Sequence, residues 1–212
     1  MAALSSSSRG AASGGTRQNS STLDRPIVLR PRLEVSLSAF AFLFSEIVQY
    51  AQARSMSISD IEQQLYTQGT GIGHKLLELQ CLREKQGKGE GKRQNRLIGI
   101  LTFISSDVWK GLFGKAADSL EKSNEDEDEY MIHEAEPVTN QFVSVPQSMG
   151  NLNCAAFIAG IIAGILQSAD FPCEVSALLT RPDDGGTRDR TVYLIKFSSE
   201  VMDREERLEK KG

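Results

Sequence analysis

The sequence has 212 residues, of which 40% are hydrophobic and 25% are charged. Both fractions lie near globular averages, and they exclude a wholly disordered, fibrous or membrane-embedded chain. A net charge of −4 gives no overall attraction to phosphate backbones, so we expect no nucleic-acid partner. The three cysteines form no CxxC pair, which favours reduced thiols in a cytosolic protein.

The first 29 residues are rich in serine and glycine and poor in large apolar groups. Such a composition cannot offset the entropy of ordering, so we predict a disordered tail. An organellar transit peptide is the alternative, although arginine is sparse and no apolar stripe is present. No apolar segment typical of a secretory signal follows Met1.

The helix signals begin after Pro31 and dominate the first half of the chain. Apolar residues at three- and four-residue spacing, with Ser36 as the cap, predict a first helix of about five turns. Ser59 and Glu62 have capping-box spacing, which predicts a short second helix that ends at Gly69. A third helix carries Ile72, Leu76, Leu79 and Leu82, and a fourth spans residues 97–113 with Trp109 inside and Gly114 as its cap.

Strand signals are concentrated in the second half. Short extended runs occur at residues 130–133, 142–146, 173–179 and 191–197, and the last two form a predicted hairpin. A basic loop over residues 85–96 and an acidic loop over residues 121–129 separate the elements. The predicted fold class is α+β, with four to five helices packed on a small, roughly four-stranded antiparallel sheet.

The longest apolar run, residues 154–166, has thirteen residues, which is too short to cross a bilayer. Its Gly160 and Gly164 match the GxxxG pattern, which in a water-soluble chain indicates a buried helix that another element approaches closely. The first helix has more apolar surface than one stripe requires, because Phe42, Leu43 and Tyr50 lie outside it. Either this helix is central to the core, or one flank contacts another protein.

A search for catalytic chemistry finds none. The Gly/Lys stretch at residues 87–92 lacks the Ser or Thr of a phosphate-binding loop, and a solvated linker or a contact with acidic lipid head groups explains it better. His74 and His133 lack metal-ligand spacing, and the acidic run lacks the alternation of a calcium loop. We therefore predict no catalytic residue, metal or cofactor, and interpret the chain as a binding or assembly module.

Several segments resemble the small α/β subunits of the transport protein particle (TRAPP) complex, in particular the subunit 5 branch. The matching segments are residues 30–40, 69–78, 108–115, 136–137 and 152–161. The resemblance implies one α+β domain over residues 30–197, between the tail over 1–29 and a charged tail over 198–212 for which we expect a frayed helix. In this domain Gly69 and Gly73 leave a notch for a neighbouring helix, while Ile72 and Leu76 point to the core.

The resemblance also implies a function. Such subunits assemble into an elongated complex that tethers vesicles between the endoplasmic reticulum and the Golgi, and the assembled complex exchanges nucleotide on a Rab-type GTPase. The implied partners are a subunit 3 paralogue and a sedlin-type subunit, at a cytoplasmic location peripheral to the endoplasmic reticulum and cis-Golgi membranes. Relatives in the subunit 3 branch carry an acylated cysteine after the glycine motif. This sequence has no cysteine at residues 87–96, so that function is not carried over.

Two functional hypotheses follow. The first is a non-catalytic complex subunit whose partner interface includes Phe42, Leu43, Ile47, Tyr50, Ile61 and Leu65. The alternative is a stand-alone binder of a small hydrophobic ligand, because distant relatives of this fold enclose apolar cavities. Cys81, Cys154 and Cys173 are interpreted as packing residues in either case.

Overall fold

A computed structural model describes residues 35–86, 93–124, 126–146, 149–150, 152–180 and 190–210. The elements in chain order are α1 (Leu37–Arg54), α2 (Ile58–Gln86), α3 (Leu97–Phe103), α4 (Trp109–Phe113), β1 (Ser119–Lys122), β2 (Glu129–Glu134), α5 (Val138–Gln141), α6 (Ala156–Ser168), β3 (Cys173–Thr180), β4 (Arg190–Phe197) and α7 (Ser199–Glu209). The predicted N-terminal tail, the centre of the basic loop and the loop of the predicted hairpin lie outside the described residues. The predicted α+β class with a four-stranded antiparallel sheet is confirmed.

Helix α1 begins where the sequence predicts. Ser36 is extended, and its hydroxyl accepts a hydrogen bond from the amide of Ala39 at 3.2 Å, which satisfies one of the free donors of the first turn. Phe44, Val48 and Ala51 are buried on one side of the helix. This side packs on the core, while the rest of the helix surface stays exposed or half-buried.

The prediction of two short helices between residues 59 and 82 is wrong, because α2 is one continuous helix through Gly69. Its start is also two residues earlier than predicted. Ser57 and Asp60 cap it reciprocally: the Ser57 hydroxyl accepts from the Asp60 amide at 3.1 Å, and the Asp60 carboxylate accepts from the Ser57 amide at 3.0 Å. Glu62 is therefore free to accept a hydrogen bond from the amide of Asn153 at 2.8 Å.

The predicted helix over residues 97–113 is present but interrupted. Ile104–Val108 forms a π-helical turn between α3 and α4, so the helical hydrogen bonding slips by one residue there. Gly114 ends α4 with a φ of 77°, the left-handed conformation that glycine adopts without strain. This confirms Gly114 as the C-terminal cap.

The sheet has the strand order β1-β2-β4-β3, with every neighbouring pair antiparallel. Its inner face carries Ile132, Tyr193, Ile195 and Phe197 into the core. Strand β1 was not predicted, because its sequence is short and polar. The acidic loop is consequently shorter than the predicted residues 121–129, since β1 and β2 occupy its two ends. The Glu129 carboxylate at the start of β2 forms an ion pair with the Lys196 ammonium, 2.9 Å away.

Helix α6 is the centre of the core. Each of the ten residues 157–166 is buried, which confirms the prediction of a buried helix. Asn153, just before it, ties three elements together: its side chain donates to the carbonyl of Ala177 in β3 at 2.9 Å and accepts from the amide of Ala155 at 3.1 Å. The backbone amide of the same residue donates to the carboxylate of Glu62 in α2, so the start of α6 is held against both the sheet and α2.

The backbones of α2 and α6 are in contact at four glycines, as the glycine spacing predicts. They are Gly69 and Gly73 of α2 and Gly160 and Gly164 of α6. A Cβ atom at Gly69 would overlap the carbonyl oxygen of Phe157, and one at Gly160 would overlap that of Tyr66. Gly73 and Gly164 are equally crowded by opposing backbone atoms. The prediction that Ile72 points to the core is wrong, because its side chain is 40% exposed and Gly73 occupies the buried side instead.

The C-terminal segment forms α7, a helix that docks on the domain. Val201 is 2% exposed and belongs to the core, and the Arg96 guanidinium before α3 pairs with Glu205 at 2.7 Å. Residues 142–146, predicted as a short strand, adopt no regular structure. Among the residues described, no helix combines the length and the apolar character needed to cross a membrane.

Candidate protein-interaction surface

The most apolar exposed part of α1 is built by residues one helical turn apart. Phe42 is 79% exposed, Leu43 63% and Tyr50 48%. Glu46 is also exposed and lies four residues from both Phe42 and Tyr50, so it shares their side of the helix. We call Phe42, Leu43, Glu46 and Tyr50 the α1 face.

The α1 face is exposed because the opposite side of the helix already fills the core. Phe44 packs edge-to-face on Phe157 of α6, with ring centroids 5.3 Å apart, and stacks on Phe40 at 5.6 Å. Burying a Phe or Leu side chain contributes roughly 1.5–3 kcal/mol, so exposed Phe42 and Leu43 leave a stabilising contribution unused in the isolated chain. This exposed apolar patch makes the α1 face a candidate protein-interaction surface.

Not every residue predicted for the partner interface lies on this face. Ile61 is 4% exposed and Leu65 is fully buried, so the prediction for these two needs correction: they are core residues. The physical reason is helical spacing, because Ile61 and Leu65 lie eight and four residues before Gly69, respectively, and therefore face α6 with it. Ile47 is half-buried against the core, at the border of the α1 face.

The Tyr50 ring is held by a contact with Arg54, which was not among the residues predicted for the interface. The Arg54 guanidinium lies over the Tyr50 ring, 4.2 Å from its centroid. A cation–π contact of this kind contributes about 0.5–1 kcal/mol at an exposed site, and it fixes the ring orientation. The spacing of four residues on a predicted helix is the signal that would have found it.

Trp109 is a core residue, as its place inside the predicted helix suggested. Its indole Nε1 donates to the carboxylate of Glu134 at 3.1 Å, and its ring packs edge-to-face on Tyr193. Burial raises the pKa of Glu134, while Trp109 and the ammonium of Lys115, 3.5 Å from the other carboxylate oxygen, act in the opposite direction. This network joins α4 to β2 and has no route to a substrate, since Glu134 is 1% exposed.

The cysteines differ from one another. Burial raises the pKa of buried Cys154 to about 11 and that of half-buried Cys173 to about 12, so both thiols stay protonated at neutral pH, consistent with packing. Cys81 is exposed on α2, so its interpretation as a packing residue is wrong. The helical stripe of Leu79 and Leu82 suggested burial there, but this end of α2 extends past α6.

One surface pair has the elements of a nucleophile and a base. His74 Nδ1 lies 2.6 Å from Ser168 Oγ, across the end of the α2–α6 contact. Both residues are exposed, and within the described ranges no carboxylate hydrogen-bonds to His74 to orient it. The same part of the chain contains no group of three His, Cys, Asp or Glu side chains that could hold a metal ion.

The sequence also matches proteins of one known family. Residues 40–198 match the family model "Transport protein particle (TRAPP) component". The chain is 50% identical to "Trafficking protein particle complex subunit 5" of Dictyostelium discoideum, over 86% of this chain and 95% of that one. It is 40% identical to the human protein of the same name, over 92% and 96% of the two chains.

A solved structure has the same fold. It is subunit 3 of a trafficking protein particle complex from Naegleria fowleri, covalently bound to palmitic acid. The TM-score is 0.63 at 21% identity, and the match covers 77% of this chain and 95% of that one. At this identity the likeness supports the fold.

Proposed function

This chain belongs to the TRAPP component family, in its subunit 5 branch, and from that premise we propose that it is a non-catalytic subunit of a vesicle-tethering complex. Its relatives are named as subunits of a trafficking protein particle complex, and the chain is accordingly a component of such a particle. The proposal places it in transport from the endoplasmic reticulum to the Golgi, in the cytoplasm and peripheral to both membranes. Membrane association then occurs through the assembled complex.

The observation that carries this proposal is the α1 face. A subunit of an elongated assembly needs apolar surface that the isolated chain leaves uncovered, and Phe42 and Leu43 provide it beside Tyr50. Aromatic side chains of this kind are enriched among the residues that dominate binding energy. The proposed partners are a subunit 3 paralogue, which contacts the α1 face, and a sedlin-type subunit.

We further propose that the assembled complex, with this chain as a support, promotes nucleotide exchange on a Rab-type GTPase. Release of GDP breaks no covalent bond, so exchange needs no acid, base or nucleophile from this subunit. The high pKa values of Cys154 and Cys173 and the buried position of Glu134 are consistent with a supporting role.

The alternative of a stand-alone binder of a hydrophobic ligand has less support. The four glycines that seat α2 on α6 leave no room between these helices for a side chain, and therefore none for an acyl chain. The cavity of about 310 Å³ at the end of α6 places the charged residues Arg93, Asp170 and Arg204 beside Phe171 and Leu208. Neither feature suits an apolar ligand.

The test of the interface compares two variants. Replacing Phe42 and Leu43 together by Ser should weaken binding to a purified subunit 3 paralogue by roughly 30-fold or more, because truncating a central apolar contact costs about 2 kcal/mol. Ile98→Ser is the matched control, since Ile98 is 55% exposed on α3, outside the α1 face. Isothermal titration calorimetry measures both. Equal affinity of the double variant and the wild type contradicts the proposed interface, as does a wild-type chain that stays monomeric on size exclusion with the paralogue.

The cellular role is tested separately. Depletion of the protein should slow the arrival of a secretory cargo at the Golgi, and re-expression of the wild type should restore it. The Phe42/Leu43 double variant should not restore transport if the protein acts as a subunit of the complex. Normal cargo transport in depleted cells contradicts the proposed role.

A further inference from the structure

The charge pattern of α1 carries information about the partner. Glu46 and Arg54 are the charged residues of this helix, and the Arg54 guanidinium is occupied over the Tyr50 ring. Glu46 is exposed and forms no ion pair with any other residue that the structure describes. It lies one turn from Phe42 on one side and one turn from Tyr50 on the other, at the centre of the α1 face.

A carboxylate in that position is a strong constraint on whatever covers it. When an interface excludes water, an unpaired charge loses its hydration, and the loss is costly unless a cation and hydrogen-bond donors replace the water. A partner that covers Phe42 and Tyr50 necessarily approaches Glu46 as well. An entirely apolar partner surface would therefore bind poorly.

The position also disfavours a second copy of this chain as the partner. Glu46 is near the midpoint of α1, which spans Leu37–Arg54. If two copies packed their α1 faces about a twofold axis through the centre of the face, each Glu46 would face the other. Like charges opposed in this way suppress the wrong pairing.

From these observations we propose that the α1 face selects a different chain whose contacting helix presents a lysine or arginine to Glu46, between apolar residues that cover Phe42 and Tyr50. This inference rests on the proposed function, because it assumes that the α1 face is an interface. The inference adds to the proposed function the chemistry that determines which partner binds: one cation at the centre of an apolar contact.

The experiment measures binding of Glu46 variants to the purified subunit 3 paralogue and, separately, to the sedlin-type subunit. The informative partner is the one whose binding the Phe42/Leu43 double variant weakens. For that partner, Glu46→Gln should weaken binding about tenfold and Glu46→Lys roughly 30-fold or more. Glu127→Lys, an equal change of net charge in the β1–β2 connection, should change the affinity less than about twofold.

Three further readouts test the role of Glu46, and the second of them identifies the cation. The wild-type affinity should fall when NaCl is raised from about 50 to 500 mM, and the affinity of Glu46→Gln should fall less. Changing the lysines and arginines of the partner's contacting helix to Glu, one at a time, should yield one variant that restores binding to Glu46→Lys. In sedimentation experiments, Glu46→Gln should self-associate more than the wild type, because the opposed charges are removed.

The outcomes separate this inference from the proposed function. If the Phe42/Leu43 double variant weakens binding but Glu46→Gln and Glu46→Lys bind like the wild type, the interface stands and the inference is overturned. Failure of every partner reversal to restore Glu46→Lys also overturns it. If neither partner's binding depends on Phe42 and Leu43, both are overturned. Circular dichroism melting verifies that each variant is folded, which the exposure of Glu46 leads us to expect.

Discussion

The contact between α2 and α6 predicts opposite effects for the same substitution at two neighbouring glycines. Gly69 is buried in the contact, and a Cβ there would overlap the carbonyl oxygen of Phe157 and lie 3.0 Å from the amide nitrogen of Ile161. Gly71, two residues along the same helix, has no atom within 4 Å of the corresponding position. Ala at the two positions therefore has the same intrinsic helix propensity but different surroundings.

The expected magnitudes follow from these surroundings. Alanine is better than glycine inside a helix by about 0.8–1.0 kcal/mol, so Gly71→Ala should stabilise the protein by about that amount. At Gly69 the same gain is opposed by overpacking against backbone atoms, which cannot rotate away and typically costs about 1–3 kcal/mol. Since one kcal/mol corresponds to about 2–4 °C in a domain of this size, Gly71→Ala should raise the melting temperature by about 2–4 °C. Gly69→Ala should lower it by up to about 8 °C.

The assay is thermal unfolding of both variants and the wild type, followed by circular dichroism at one pH. Gly160→Ala provides an independent replicate from the other helix, because a Cβ there would overlap the carbonyl oxygen of Tyr66. The reasoning is refuted if Gly69→Ala melts at or above the temperature of Gly71→Ala. That result would mean that the two helices separate at no cost, and that the glycines are not there for close approach.

The remaining predictions concern titratable groups and a helix cap. Cys81 should react with a thiol reagent in the folded protein, whereas Cys154 and Cys173 should react only after unfolding; mass spectrometry of labelled peptides measures this, and early labelling of Cys154 would contradict it. Because burial raises the pKa of Glu134 in the folded state, its contribution to stability is greatest below the unfolded pKa and is lost as pH rises through the folded pKa. Glu134→Gln should therefore gain melting temperature relative to wild type between about pH 4 and pH 8, and a difference independent of pH would refute this. Ser57→Ala removes the cap of α2 and should cost about 1 kcal/mol in urea unfolding; an unchanged midpoint would contradict that assignment.

The elements that the sequence predicted correctly are those specified by local chemistry. Ser36 caps α1 because its hydroxyl and the helical spacing lie within a few residues of each other, and Gly114 ends α4 because its own φ must be positive. Strands β3 and β4 are predictable because they are short, largely apolar runs on either side of a glycine-containing stretch, and β4 is rich in β-branched and aromatic residues. Strand β1 could not be predicted in this way, since four largely polar residues become a strand only when β2 is beside them.

The α2 error has a different origin. Gly69 was interpreted as the end of a helix, because glycine terminates helices when only the local sequence is considered. In the fold it continues the helix and faces α6, a tertiary contact that no local pattern reveals. The π-helical turn before Trp109 is likewise set by packing, and no residue in its sequence indicates it.

Part of the candidate interface is predictable from the apolar pattern of α1, because Phe42, Leu43 and Tyr50 are exposed. The burial of Ile61 and Leu65 is predictable only from their spacing relative to the glycines of α2. Ile61, Leu65, Gly69 and Gly73 follow one another at four-residue intervals, so a notch at the two glycines requires that the two aliphatic residues face the same neighbouring helix. Had α2 been treated as one helix, Ile61 and Leu65 would have been assigned to the core with the glycines. Phe42, Leu43 and Tyr50 stay exposed around Glu46, because α1 contributes only one side to the core. The close approach of α6 thus buries one side of α2, whereas α1 keeps Phe42, Leu43 and Tyr50 available to a partner.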